Sequence, residues 1–117
     1  MEKTTENTTY ENIRNWIKTG YDEYLADIRE KGIEEAIKQA YTILVFQELI
    51  EYIEEKLEYN ENSENMIICN SVMQKHNPLD LVLSIEEYLE EYDDLKSIYG
   101  QMPYILKLIN IEDVKYN

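Results

Sequence analysis

A single cysteine and a single histidine stand in this chain of 117 residues, and each scarcity removes a class of chemistry. One thiol, Cys69, excludes an internal disulfide framework, and one imidazole, His76, excludes any site that needs two. Three glycines and two prolines are the only strong punctuation, and the long stretches between them carry helical rather than alternating periodicity. No glycine-rich loop is available to cradle a phosphate. Cations are scarce as well: 11 Lys and Arg face 25 Asp and Glu, a formal net charge of −14. The basic residues are scattered singly, which disfavours direct nucleic-acid binding and attraction to an anionic membrane surface. The densest apolar window, Thr42 to Ile50, is interrupted by Gln47 and Glu48, far short of the ~20 apolar residues of a membrane span. The first residues, Met1 to Asn7, are polar and do not form a secretory signal, so a cytoplasmic location is expected. The glycosylation-like triplet Asn7-Thr8-Thr9 is then accidental.

What is present is enough for a core. The chain is 44% hydrophobic, with 15 isoleucines and 11 tyrosines, and its length suits one domain over residues 1–117. The expected fold is all-α, a compact bundle of four to five helices, with residues 1–8 flexible. Thr8 and Glu11 have capping-box spacing, so a helix should begin near Tyr10. Its stripe is Ile13, Trp16, Ile17, Tyr21, Tyr24, Leu25 and Ile28, with Gly20 weakening the middle and Gly32 placed to end it. A second helix is expected from Ile33 to about Leu57, with Ile33, Ile37, Tyr41, Leu44, Val45, Leu49 and Ile53 among its apolar set. Ser63 is a good cap for a short third helix. Asn77 followed by Pro78 should start a fourth, whose stripe from Leu81 reaches Tyr99 and Gly100. Residues 101–117 fit an added helix or an added strand, which periodicity does not separate over so short a run.

The materials for catalysis are thin. His76 lies in a polar turn without an evident partner, and Cys69 sits among Met66, Ile67 and Val72 as a small buried apolar group. Paired carboxylates such as Glu54-Glu55 and Glu90-Glu91 point about 100° apart on a helix and do not share a proton. The spaced acidic loop of a calcium site is absent. No enzyme activity, metal or cofactor is expected.

The acidic residues are patterned. Glu48, Glu51, Glu55 and Glu58 recur at three and four, which confines them to about an 80° arc along roughly 15 Å of helix. Glu86, Glu87, Glu90, Glu91 and Asp94 form a second block, with no Lys or Arg between Asp80 and Asp94. Glu48, Glu51, Glu55, Glu58, Glu86, Glu87, Glu90 and Asp94 are therefore the candidate partner-binding residues. Such rows can imitate a phosphate backbone and occupy the basic groove of a nucleic-acid-handling protein. They can equally serve solubility alone. A third reading is an adaptor, or a homodimer, that binds through Tyr and Ile surface. Tyr52, Tyr59 and Tyr116 are the candidates for exposed contacts, while Tyr88, Tyr92 and Tyr99 lie on the core stripe.

Tyr21-Asp22-Glu23-Tyr24-Leu25-Ala26-Asp27-Ile28, Gly32 to Tyr41, and Asn77-Pro78-Leu79-Asp80 resemble a small helical family of unknown function from phages, plasmids and conjugative elements of Firmicutes. The resemblance covers about residues 13–95. A tryptophan expected of that family near Glu86-Glu87-Tyr88-Leu89 is missing, and the tail after Gly100 looks added. No catalytic residues carry over. The resemblance implies a mobile-element setting, in which small acidic proteins often inhibit host-defence nucleases, anti-CRISPR proteins among them.

Overall fold

Side-chain oxygens set the helix starts. Thr8 accepts from the Glu11 N–H at 3.0 Å while its own N–H donates to Glu11 Oε1 at 3.1 Å, a complete capping box. Ser63 Oγ accepts from the Met66 N–H, and Asn77 Oδ1 from the Asp80 N–H at 2.8 Å. Between such signals the computed structural model, which describes residues 8–58, 63–91 and 97–115, forms six helices and no strand. They are α1 (Thr9–Lys31), α2 (Ile33–Lys38), α3 (Ala40–Lys56), α4 (Glu64–Lys75), α5 (Pro78–Glu91) and α6 (Ile98–Lys115). Gly32 joins α1 to α2 at φ 99° and ψ 179°, a backbone state open essentially to glycine alone.

The all-α expectation holds, with six helices where four to five were expected. The helix expected from Ile33 to Leu57 is two, because Gln39 relaxes to φ −96° and ψ 9°. Its N–H closes the last bond of α2 onto Glu35 O and its carbonyl accepts the first bond of α3 from Ile43, so the two helices meet at this residue as separate segments.

The core is organised around α3. Val45, Phe46, Leu49, Tyr52 and Ile53 are all but inaccessible, and α1, α5 and α6 each pack along this helix. Ile13 and Ile17 come from α1, Val82 and Ile85 from α5, and Met102 and Ile105 from α6, while α4 adds Met66 and Val72. Burying each such side chain contributes about 1.5–3 kcal/mol. Tyr21 and Tyr24 set their rings against Phe46 at centroid distances of 5.2 and 5.5 Å.

Three expectations are corrected here. The segment after Gly100 is a helix integral to the core: α6 starts before Gly100, capped by Ser97, and buries Met102, Ile105, Leu106 and Ile109. Pro103 lies inside it, leaving the Tyr99 carbonyl without its usual helical donor. Tyr52, expected as an exposed contact, is 2% exposed and meets Tyr99 edge-on at 6.2 Å. Conversely Ile33, Ile37, Tyr41 and Leu44, expected in the core, face outward. Tyr59, Tyr92 and Tyr116 lie outside the described residues, as do residues 1–7.

Two tertiary contacts fix how the helices meet. A Cβ on Gly20 would overlap the Pro78 ring, so α5 begins against the bare backbone of α1. His76, at the end of α4, donates from Nε2 to both carboxylate oxygens of Asp113 at 3.0 Å, tying the α4–α5 junction to the last turns of α6.

Gly20→Ala weighs ~1 kcal/mol of better helix propensity against ~1–3 kcal/mol of overpacking. Net destabilisation of about 1 kcal/mol is expected in urea unfolding, and a neutral or stabilised variant would contradict the close approach. His76→Ala should cost about 1–3 kcal/mol. Combined with Asp113→Ala, the loss should be smaller than the sum of the single losses, and strict additivity would contradict the pairing.

Candidate functional site

The acidic row on α3 is real in three dimensions. Buried positions of α3 span Thr42, Val45, Phe46, Leu49, Tyr52 and Ile53, and Glu48, Glu51 and Glu55 occupy the adjoining face. Glu51 and Glu55 are exposed and Glu48 is half-buried at the edge. Their crowding is visible at Glu51. The Glu51 carboxyl is pushed above its ordinary range, first by the charge of Glu55, then by partial desolvation and by Glu48. All three also act on one neighbour. Tyr99 donates to Glu55 Oε1 at 3.0 Å, and its phenol is raised by burial first, then by that bond and by the charges of Glu55, Glu51 and Glu48. Glu58, just beyond α3, is exposed but borders a separate cleft of about 450 Å³ with Tyr10, Glu11, Arg14 and Glu54.

Four of the cations, Arg14, Lys18, Lys31 and Lys107, are engaged elsewhere. Arg14 Nε and Lys18 Nζ both bind Glu54 Oε2, at 3.0 and 3.2 Å, stapling α1 to α3. Burial works to raise the Glu54 carboxyl, but the hydrogen bonds from Lys18 and Arg14 outweigh it and hold the group below the usual range. Lys31 pairs with Asp27 and Lys107 with Glu64. Among the described residues no lysine or arginine forms an ion pair with Glu48, Glu51, Glu55 or Glu58.

The second block is placed differently. Glu87 is exposed, whereas Glu86 is half-buried, with Oε2 out of solvent and lacking a hydrogen-bond partner. Its charge is felt by Tyr24, whose phenol is raised by burial first and then by Glu86, Glu35 and Asp27, against a lowering bond from Thr42. Glu86 therefore lies within electrostatic reach of Tyr24 on α1, in surroundings unlike those of the exposed Glu87. The Glu90 side chain and Asp94 lie outside the described residues. The structure thus brings Glu48, Glu51 and Glu55 together, leaves Glu58 at their end, and separates Glu86 from them in its surroundings.

No protein family, curated protein or solved structure matches this chain. The likeness over residues 13–95 rests on the sequence motifs alone. Other chemistry is weakly supplied. Cys69 is buried, and desolvation pushes its thiol up to about 12, which keeps it protonated and unreactive at neutral pH. His76 is committed to Asp113. Among the described residues no three His, Cys, Asp or Glu side chains converge to hold a metal, and no helix is long and apolar enough to cross a membrane.

Tyr99 is the residue that the sequence reading missed at this site. Its place on the apolar stripe was legible, but its hydroxyl partner lies 44 positions away.

The two glutamates on either side of the charge balance should titrate stability in opposite senses. Glu51 has a raised folded pKa, so it binds its proton more readily when folded; its penalty is full above that pKa and fades as pH falls through it. Glu54 has a lowered folded pKa, so it stabilises above the ordinary carboxylate value, and that contribution fades as pH falls through the folded one. Glu51→Gln should raise Tm at pH 7 in low salt, with the gain shrinking in high salt or near pH 4. Glu54→Gln should lower Tm at pH 7. Thermal unfolding with both variants moving Tm in the same direction would contradict the assignment.

Proposed function

We propose that this protein is a non-enzymatic acidic interaction protein that occupies the basic groove of a nucleic-acid-handling protein, in the manner of an inhibitor that imitates a phosphate backbone. The observation that carries the reading is the cluster of Glu48, Glu51 and Glu55, which forms no ion pair with a lysine or arginine among the described residues and is crowded enough to raise the Glu51 carboxyl while Arg14 and Lys18 are held by Glu54. A row of carboxylates about 3–4 residues apart on a rigid helix presents charge at intervals of roughly 5–6 Å, a spacing that a groove built for nucleic-acid phosphates can meet with Lys and Arg. The net charge of −14 steers such a partner toward the surface from a distance and makes the encounter salt-sensitive. The resemblance of residues 13–95 to mobile-element proteins of Firmicutes suggests a host-defence target, such as the nuclease of a CRISPR system.

The same surface has a structural cost that fits this role. Like charges at helical spacing destabilise the helix that carries them, so α3 holds them at the expense of its own stability, and binding cations relieves that expense.

The test is capture from host lysate followed by competition. Protein retained on the immobilised chain should be released by added DNA or RNA, with affinity falling as salt rises. The variant Glu48→Lys, Glu51→Lys, Glu55→Lys, Glu58→Lys should retain its far-UV helicity and lose the captured protein. Equal capture by that variant, or failure of nucleic acid to compete, would contradict the proposal.

A further inference from the structure

Tyr99 joins the acidic row to the core. It stands in the first turn of α6, packs edge-on against the buried Tyr52 of α3 at a centroid distance of 6.2 Å, and donates its hydroxyl to Glu55 Oε1 at 3.0 Å across 44 positions of sequence. The turns that follow bury Met102, Ile105 and Leu106, so the ring has a fixed base. The donor is permanent as well. Burial first, then the bond to Glu55 and the charges of Glu55, Glu51 and Glu48, raise the phenol above its ordinary value, so it keeps its proton at neutral pH, where the carboxylates are charged. Among the described residues, Glu55 is thus the member of the row that another helix holds. Glu51, one turn back along α3, lies within hydrogen-bonding reach of the Glu55 carboxyl.

We infer that Tyr99 is a positioning residue for the acidic face: its hydroxyl holds the Glu55 side chain in one arrangement, so that the row meets a partner's cations already ordered. This role rests on the acidic-face reading above and adds to it a residue on α6 that carries none of the charge. Two effects oppose each other. A long exposed side chain gives up its rotamer freedom when a cation binds, and ordering one such chain beforehand is worth about two- to tenfold in affinity. Against this, the phenol occupies part of the carboxylate. A carboxylate offers about four lone-pair sites, so one bond to Oε1 leaves all of Oε2 for the partner. The phenol is also neutral and leaves the net charge of the row unchanged. Ordering is therefore the larger effect.

Tetra-arginine, titrated at low salt into the isotope-labelled full chain with the glutamate side-chain carboxyls observed by NMR, reads affinity at this face residue by residue. Tyr99→Phe keeps the ring against Tyr52 and removes the hydroxyl. It should bind about two- to tenfold more weakly at Glu51 and Glu55, with the Glu55 methylenes more mobile by relaxation. In a Glu55→Ala background the same change should cost nothing at Glu51, because no side chain is left to position, whereas in a Glu48→Gln background the cost should remain. A hydroxyl that served only the packing of α6 would give equal losses in both backgrounds. Equal affinity of parent and Tyr99→Phe, a loss that persists with Glu55→Ala, or a Glu55 side chain equally mobile in both proteins would each overturn the inference. The reading beneath it fails separately. Glu51→Lys with Glu55→Lys should abolish the response of the Glu48 carboxyl to tetra-arginine; if that response survives, or if the parent shows none, the acidic-face reading falls and takes this role with it.

Discussion

Helix α3 is surrounded on three sides, and the fourth side is where the protein meets its environment. Apolar burial against α1, α5 and α6 fixes Val45, Phe46, Leu49, Tyr52 and Ile53 inward, and on a helix that choice dictates where every other side chain must point. Glu48, Glu51 and Glu55 are therefore held outward in a row by the core, whatever their mutual repulsion. Repulsion between neighbouring exposed carboxylates amounts to a few tenths of a kcal/mol per pair, whereas each buried large side chain of α3 is worth about 1.5–3 kcal/mol. The core wins easily. The same imbalance lets Ile33 and Ile37 stay in solvent on α2, which Gly32 and Gln39 join to its longer neighbours.

Local chemistry was legible in the sequence and distant partnership was not. The caps at Thr8, Ser63 and Asn77 are written within three residues, and all three form as their spacing implies. Periodicity found the stripes but was blind to which of two apolar faces would be covered. Around Ile43 to Phe46 α3 is apolar nearly all round, so the line Ile33, Ile37, Tyr41, Leu44 looked as much like core as Val45 and Leu49. Only the positions of α1, α5 and α6 decide between them. Gly20 looked like a weak point of α1, whereas its lack of a side chain is what admits Pro78. Gly100 and Pro103 looked like boundaries, yet both fall within α6; Pro103 lies past its first turn and costs the bond to the Tyr99 carbonyl, on the order of 3 kcal/mol, which burial of Met102, Ile105, Leu106 and Ile109 outweighs.

The electrostatic detail was the least legible part. Glu54 and Glu55 are neighbours in sequence with opposite circumstances, because Arg14 and Lys18 reach the first from 40 and 36 positions away while Tyr99 reaches the second from 44. A count of charges gives −14 and says nothing of which carboxylates are already matched. Nor does it reveal that Glu86 lies within electrostatic reach of Tyr24, in surroundings unlike those of Glu87. The candidate site is accordingly narrower than the sequence suggests: the row Glu48, Glu51 and Glu55 on α3, with Glu86 of α5 in different surroundings.

The central claim is that Glu51 belongs to an anionic cluster with no ion pair to Lys or Arg among the described residues, while Glu54, three residues on, is a neutralised structural group. Carbon-detected NMR titration of the glutamate side-chain carboxyls in the intact protein measures this directly. The account predicts that Glu51 titrates at a higher pH than Glu54, with the gap narrowing as salt is added. Coincident titrations, or Glu54 titrating above Glu51, would contradict it.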